Sequence, residues 1–211
     1  MKDTKLFVVL PCYNEEEVLG ETSKRLLELY GIMISEGTVS PESKIVFVDD
    51  GSRDRTWEII SGLCEQNNIY RGVKLAHNAG HQNALLGGLM TVKVECDCAV
   101  SIDADLQDDI NVIPEMVKKF DNGCDVVYGV RSERKTDSFF KRTTAQGFYK
   151  FMAMMGVDVV YNHADYRLMS RRALNDLESF KEVNLFLRGL VPLIGYKSDS
   201  VYYERAERFA G

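Results

Sequence analysis

The residues of this chain that point most directly to chemistry are carboxylates in one short cluster. Asp103 and Asp105 are separated by a single residue, and Gln107 follows two positions later. Oxygen donors of this kind suit Mg²⁺ or Mn²⁺, which takes one or two carboxylates from a protein and completes its shell with phosphate and water. The cluster therefore predicts a site at which a divalent cation binds a diphosphate group.

Other polar clusters stand in the same place, directly after a short apolar run. They lie at residues 11–15, 49–52, 78–81 and 129–131. In an open parallel α/β sheet, ligands bind outside the carboxyl ends of the strands. We therefore expect these clusters to meet the acidic cluster at one edge of a sheet. Neither a Walker loop nor a G-x-G-x-x-G turn is present to bind phosphates by the commoner routes.

The segments between these clusters alternate between apolar runs and helical periods. The runs predict strands at 6–10, 45–48, 70–76, 99–102 and 126–128. The periodic segments predict helices from about 15 to 33, over 81–93 and around 113–120. Strands that are apolar throughout and alternate with helices indicate a mostly parallel sheet covered on both faces, an α/β fold.

After residue 131 the pattern is looser. It predicts helices near 138–155, 171–179 and 184–194, and strands at 165–169 and 197–204. No Ser/Gly-rich linker separates this part from the rest. We therefore predict a single domain over 1–211, with residues 1–131 as its nucleotide-binding half and 132–211 as its acceptor-binding half.

Composition excludes several classes of protein. The 211 residues carry 32 acidic and 26 basic side chains, a net charge of −6, which argues against a nucleic-acid binder. Five cysteines form an odd set, so a reducing compartment such as the cytoplasm is expected. No run approaches the ~20 apolar residues of a membrane span, and the chain as given is predicted to be soluble.

Two other classes also place aspartates after an apolar strand. A phosphatase with an aspartyl nucleophile uses Asp-x-Asp there, and a phosphoacceptor receiver module would explain the pair Asp49 and Asp50. Neither class accounts for the cluster at 11–15. Activity without a nucleotide sugar would favour the phosphatase, and uptake of phosphate from acetyl phosphate would favour the receiver.

The ordered set of motifs resembles the family 2 inverting glycosyltransferases, which have the GT-A nucleotide-diphospho-sugar transferase fold. The resemblance spans nearly the whole chain. It rests on Pro11-x-Tyr13-Asn14-Glu15, on Val48-Asp49-Asp50-Gly51-Ser52 and on Asp103-Ala104-Asp105-Leu106-Gln107-Asp108. The segments 80–85 and 165–171 resemble a narrower branch, which includes bactoprenol glucosyltransferases and dolichyl-phosphate mannose synthases.

The resemblance implies a role for particular residues. Asp103, Asp105 and Gln107 would be the ligands of Mg²⁺ or Mn²⁺, and Asp50 would accept a hydrogen bond from the base. Asp165, Asp105 and Arg131 would be catalytic, with Asp165 orienting the acceptor or taking a proton and Arg131 meeting the phosphates of donor or acceptor. The nucleotide sugar would be held by Pro11, Tyr13, Asn14, Glu15, Val48, Asp50, Ser52, Gly80, Asp103, Ala104 and Arg208.

The branch also implies a reaction and a location. A hexose would pass from UDP-glucose, or in second place GDP-mannose, to a polyprenyl phosphate such as undecaprenyl phosphate. A saccharide acceptor, as in polysaccharide synthesis, is the alternative within the family. The enzyme would act at the cytoplasmic face of a membrane, and relatives often continue into membrane helices beyond the position where this chain ends. Whether it forms a homo-oligomer stays open.

Overall fold

The computed structural model describes residues 3–132, 163–180 and 187–208. The helices are α1 (Leu19–Ser35), α2 (Thr56–Gln66), α3 (His81–Val92), α4 (Ile113–Asp121), α5 (Arg171–Leu177) and α6 (Leu187–Leu193). The strands are β1 (Leu6–Cys12), β2 (Lys44–Asp49), β3 (Tyr70–Lys74), β4 (Cys98–Ser101), β5 (Val126–Arg131), β6 (His163–Ser170) and β7 (Ser198–Tyr203). The helix predicted near 138–155 lies outside the described residues.

The strands form one seven-stranded sheet in the order β3-β2-β1-β4-β6-β5-β7. β6 runs antiparallel to both of its neighbours, β4 and β5, while the other pairs are parallel. The predicted mostly parallel α/β sheet is thus confirmed. Because β6 is reversed, it begins at the edge where β1, β2, β4 and β5 end. We call this edge the carboxyl edge, and the opposite one the amino edge.

The strands are apolar on both sides because helices cover both faces of the sheet. All seven residues of β1 are buried; Val8 belongs to the cluster with α1 and α4, and Val9 to the cluster with α3 and α5. At Gly88 the helix α3 lies so close to the sheet that a Cβ would stand 2.5 Å from Val48 Cγ2. This close packing fixes the start of α3 at the carboxyl edge.

Helix α1 begins at Leu19, so the predicted start near Glu15 is wrong. The backbone N–H groups of three successive residues, 14–16, donate to side chains that follow β2, in the loop and at the start of α2. The pairs are Asn14 with Ser52 Oγ at 3.0 Å, Glu15 with Thr56 Oγ1 at 2.8 Å and Glu16 with Asp54 Oδ2 at 3.2 Å. These bonds hold residues 14–16 against the segment after β2, and Asn14 has φ +54°, which is not a right-handed helical conformation.

No helix within the described ranges combines the length and the apolar character that crossing a bilayer requires.

Candidate active site at the carboxyl edge

The ends of β1 and β2 are joined at the carboxyl edge. Cys12 and Asp49 are paired in register, and the Asp50 N–H donates to the Cys12 carbonyl at 2.8 Å. Gly51 has φ +68°, and a Cβ there would lie 2.7 Å from the backbone nitrogen of Asn78. Only glycine allows the turn after β2 to pack this closely on the turn before α3.

Asp50 holds the turn before α3 in place, a role that its sequence motif does not indicate. Its carboxylate accepts the N–H groups of Ala79, at 2.6 Å, and Gly80, at 3.0 Å, and the residue is buried. The neighbouring Asp49 is fully buried, with Oδ1 accepting the Ser52 N–H at 3.1 Å. Asp49 Oδ2 has no hydrogen-bond partner among the described residues. The predicted contact of Asp50 with a base stays a prediction.

Residues 103–109, here called the acidic loop, follow β4 at the same edge. Asp105 Oδ1 accepts the Gln107 N–H at 3.1 Å, and the residue between them, Leu106, has φ +59°. A left-handed conformation is uncommon for a leucine and marks a tightly constrained loop. Arg205 donates to Gln107 Oε1, and the Ala206 N–H donates to the Gln107 carbonyl at 2.9 Å. The segment after β7 therefore lies against the acidic loop.

The electrostatics of the acidic loop favour a cation. Burial raises the pKa of Asp103, and the carboxylates of Asp108, Asp105 and Asp165 raise it further, against the opposing effect of His81. Burial likewise raises the pKa of Glu15; Arg208 lowers it, while Asp105 and Asp103 add to the rise. Negative charge at this edge is therefore in excess.

The donors of the acidic loop fit a hard divalent ion, since they are carboxylate and amide oxygens in a partly exposed loop. Within the described residues, no three His, Cys, Asp or Glu side chains are grouped closely enough to hold a metal by themselves. A cation bound at Asp103, Asp105 and Gln107 would therefore complete its shell with other ligands, as Mg²⁺ and Mn²⁺ do with phosphate and water.

Arg131, at the end of β5, is bound to the acidic loop from the side. Its Nη2 donates to Asp108 Oδ1 at 3.0 Å, and its Nε lies 3.3 Å from the Tyr203 hydroxyl. The Tyr203 hydroxyl also donates to Asp108 Oδ1, at 2.6 Å, and the Asp108 side chain is 1% exposed. Arg131 thus ties the loop to β5 and β7, a role additional to the phosphate contact predicted for it.

Glu15 and Arg208, both predicted to bind the nucleotide, form an ion pair at the carboxyl edge. Arg208 Nη2 lies 3.4 Å from Glu15 Oε2, which joins the end of the described chain to the segment after β1. Tyr13, two residues before Glu15, is 42% exposed. An aromatic ring this exposed at the edge of a sheet offers a flat surface on which a planar ring can stack.

Asp165, near the start of β6, accepts hydrogen bonds from three different side chains. Gln82 Nε2 donates to Asp165 Oδ2 at 2.8 Å, Arg188 Nη2 donates to the same oxygen at 3.1 Å, and Arg167 donates to Oδ1. His81 Nε2 lies 3.8 Å from Asp165 Oδ2 and 3.5 Å from Asp103 Oδ1. The imidazole therefore links this carboxylate to the acidic loop.

Burial alone would raise the pKa of Asp165. Arg167, Arg188 and Gln82 outweigh burial, so the pKa lies below its ordinary value of 3.8. A carboxylate held ionised by two guanidinium groups is a weak proton acceptor near neutral pH. Of the two roles predicted for Asp165, orientation is therefore the one that its surroundings favour.

Sequence reasoning did not select Gln82, Arg167 or Arg188. Gln82 Oε1 accepts the Leu187 N–H at 3.3 Å, and Arg167 Nη1 donates to the Leu187 carbonyl at 3.1 Å. The three side chains thereby fasten α6 to β6 and α3 around Asp165. One signal was available, because residues two apart on a strand share a face, which places Asp165 and Arg167 side by side.

Comparison with known proteins agrees with this architecture. The sequence profile described as Glycosyl transferase family 2 matches residues 7–178. The uncharacterized glycosyltransferase YkoT of Bacillus subtilis is 56% identical over 206 residues, 98% of this chain and 61% of that protein. The prophage bactoprenol glucosyl transferase homolog of Escherichia coli is 38% identical over 208 residues, 98% of this chain and 65% of that protein. The chain thus spans less than two thirds of the length of these relatives.

Solved structures share the GT-A-like fold at low identity. A Mycobacterium tuberculosis glucosyl-3-phosphoglycerate synthase, in complex with Mn²⁺, UDP and phosphoglyceric acid, gives a TM-score of 0.65 at 19% identity, covering 99% of this chain and 72% of that one. The mannosyltransferase PcManGT of Pyrobaculum calidifontis, in complex with GDP-Man and Mn²⁺, gives a TM-score of 0.62 at 17% sequence identity. The match covers 94% of this chain and 55% of that one.

Proposed function

This chain belongs to glycosyl transferase family 2, and from this premise we propose that it transfers a hexose, with inversion, from a nucleotide-diphosphate sugar to a polyprenyl phosphate. UDP-glucose is the first candidate donor and GDP-mannose the second. The observation that carries the proposal is the position of the acidic loop, between the turns that would hold a nucleoside and the arginines around Asp165. Membership of the family decides against the phosphatase and the receiver module.

The donor end of the site is supported by its excess of negative charge. Asp103, Asp105 and Gln107 would hold Mg²⁺ or Mn²⁺, and the two solved relatives described above contain Mn²⁺. When bound, the cation would supply Lewis-acid stabilisation of the leaving nucleoside diphosphate. Tyr13, Glu15 and Arg208 would hold the nucleotide beside it, together with Pro11, Asn14, Val48, Asp50, Ser52, Gly80 and Ala104.

The acceptor is supported by the relatives named bactoprenol glucosyl transferases, which are 36–38% identical to this chain. A phosphate monoester has its second pKa near 6, so near neutral pH it is largely a dianion and needs no strong base to become a nucleophile. The work left to the protein is to hold the phosphate in line with the anomeric carbon. Asp165 would contribute by orienting the groups around it, with Arg131 holding the loop that carries the donor site.

The location follows from the acceptor. A polyprenyl phosphate is confined to a bilayer, so the site would work at a membrane surface, and the branch of the family that the chain resembles implies the cytoplasmic face. Residues 132–211 would form the acceptor-binding half of a single domain. The nucleotide-binding half would be residues 1–131.

A thermal-shift screen tests the proposal in two stages. UDP, GDP and their hexose conjugates are added with and without Mn²⁺, and a ligand that binds the folded chain raises its melting temperature. We expect one nucleotide sugar to stabilise the chain only when Mn²⁺ is present. That donor is then incubated with undecaprenyl phosphate, and the glycolipid is sought by mass spectrometry. Transfer only to a saccharide would replace the lipid acceptor by the alternative within the family.

A further inference from the structure

Positive charge is in excess around Asp165. Arg167 and Arg188 both donate to this one carboxylate, whose side chain is 7% exposed. Among the residues that the structure describes, the other charged groups facing the cluster are His81 and, beyond it, Asp103, which belongs to the acidic loop. The cluster thus combines two guanidinium groups with a single carboxylate of its own.

Hydrogen-bond donors are in excess at the same place. Each guanidinium presents five N–H groups, whereas the acceptors that the described contacts provide are the two oxygens of Asp165 and the Leu187 carbonyl. Arg167 Nε is buried without a partner, and only one other buried side-chain N or O atom in the described residues, Asp49 Oδ2, shares that state. Burying a donor or a charge without a partner is unfavourable. An anion beside the cluster would balance its charge and accept from the N–H groups that are exposed, although not from the buried Arg167 Nε.

Arg188 is the member of the cluster that reaches solvent. Its side chain is 45% exposed, against 1% for Arg167. Two other arginines at this edge each have a carboxylate of their own. Arg131 pairs with Asp108, and Arg208 pairs with Glu15. Neither of those carboxylates is shared with a second arginine in the contacts of the described residues.

The position of Arg188 also separates it from the donor end of the site. Arg208 pairs with Glu15, which follows β1, whereas Arg188 pairs with Asp165 on β6. Strand β4, which leads into the acidic loop, lies between β1 and β6 in the sheet. Arg208 and Arg188 therefore stand on different sides of Asp103. With the diphosphate held at the acidic loop and Arg208, as proposed above, Arg188 is the arginine left on the other side to meet the acceptor.

We propose that Arg188 binds the phosphate monoester of the acceptor, with Asp165 and Gln82 as positioning residues that hold its guanidinium. This deepens the proposed function and rests on it. A guanidinium that uses one nitrogen on Asp165 keeps its remaining N–H groups for a two-point, charge-assisted contact with phosphate oxygens.

Calorimetric titration with citronellyl phosphate, a short water-soluble polyprenyl phosphate, tests this directly. We compare the wild-type chain with Arg188→Gln and Arg188→Lys. The neutral variant should bind citronellyl phosphate about tenfold more weakly or worse, because it loses a charge-assisted two-point contact. The lysine variant keeps the charge without the planar fork and should lie between the two. Affinity for the nucleoside diphosphate with Mn²⁺ should stay within about twofold, since that contact lies elsewhere.

Arg172 provides the matched control. Its guanidinium also binds a buried aspartate, Asp125, but at the amino edge of the sheet, and its side chain is 64% exposed. Arg172→Gln therefore removes the same charge from a similar pair and should bind citronellyl phosphate as the wild type does.

Unchanged binding in Arg188→Gln, no binding to the wild type, or loss of the nucleotide instead of the lipid phosphate would each overturn the inference. If Arg188→Gln does not fold, the test uses Arg188→Lys. An affinity of Arg188→Lys for citronellyl phosphate equal to that of the wild type would then overturn the inference. The proposed function fails separately, when the wild type binds citronellyl phosphate but transfers no hexose to any polyprenyl phosphate.

Discussion

Two buried aspartates, one at each edge of the sheet, use the same kind of partner in different ways. Asp125 precedes β5 at the amino edge and accepts from Arg172 and from the Ser170 hydroxyl. Asp165 lies near the start of β6 at the carboxyl edge and accepts from two arginines and an amide. In the described contacts, Asp125 is paired with one arginine, so the charges balance. Asp165 is paired with two arginines, so one positive charge has no counter-charge there.

The difference lies in charge balance: the ion pair at the amino edge is complete by itself, whereas the cluster at the carboxyl edge keeps a cation that can bind a ligand. At the amino edge, the hydrogen bond from Arg172 lowers the pKa of Asp125. Burial opposes this effect, and the hydrogen bond from Ser170 adds to it. At the carboxyl edge, the acidic loop has too much negative charge and the Asp165 cluster too much positive charge. These two imbalances lie side by side and match two ligands, a cation at the acidic loop and an anion at the Asp165 cluster.

The largest effect is expected from Asp105→Ala. Transfer should fall by about 10³-fold or more, because the leaving diphosphate loses electrostatic stabilisation in the transition state. Nucleotide binding should lose its dependence on Mn²⁺, while the melting temperature of the ligand-free chain should stay near that of the wild type.

Asp109→Asn is the control for that change. The Asp109 side chain accepts the Asn111 N–H at 2.9 Å and so caps a short helix, Ile110–Val112. Asparagine can accept the same hydrogen bond. It should keep most of the transfer activity. Transfer retained by Asp105→Ala would remove Asp105 from the cation site.

The second effect compares Asp165→Asn with Asp125→Asn in urea unfolding. Asp165→Asn should cost about 3–5 kcal/mol of stability, because it leaves the charge of the fully buried Arg167 without a counter-charge. Asp125→Asn should cost about 1–2 kcal/mol, since it weakens hydrogen bonds of a carboxylate whose arginine partner is exposed. Equal losses in the two variants would contradict the distinction between the edges.

The smallest effect is a pH dependence at the amino edge. The pKa of Asp125 in the folded chain lies below its ordinary value of 3.8, so its ionised form favours folding. The stability that it contributes is complete above pH 3.8 and is lost as the pH falls through the lower, folded-state pKa. The gap in unfolding free energy between wild type and Asp125→Asn should therefore narrow between pH 6 and pH 2. A gap that widens on acidification would show the opposite shift.

Local pattern was enough to predict most of the strands and the edge at which the polar clusters meet. Uninterrupted apolar runs such as those of β1 and β2 indicate burial on both faces, and the carboxyl ends of parallel strands converge by geometry. Residues 165–169 were predicted as a strand, but nothing in their sequence indicates that β6 inserts antiparallel between β4 and β5. That position depends on partners more than 20 residues away in the chain.

The site was predicted less completely, because its polar contacts join distant parts of the chain. Gln82 and Asp165 are 83 residues apart, and Glu15 and Arg208 are 193 apart. The start of α1 was predicted too early for the same reason, since residues 14–16 are held by the side chains of Ser52, Thr56 and Asp54, 38 to 41 residues further along the chain.

The claim on which the rest depends is that the acidic loop binds a nucleoside diphosphate through a shared divalent cation. Calorimetric titration of UDP and of GDP, each in Mn²⁺ and in EDTA, measures this coupling, and linkage requires the nucleotide to strengthen Mn²⁺ binding by the same factor. We expect at least one nucleotide to bind much more tightly with Mn²⁺ than with EDTA, and Asp103→Asn to abolish the difference. Equal affinity in Mn²⁺ and EDTA, or a difference that survives in Asp103→Asn, would contradict the account.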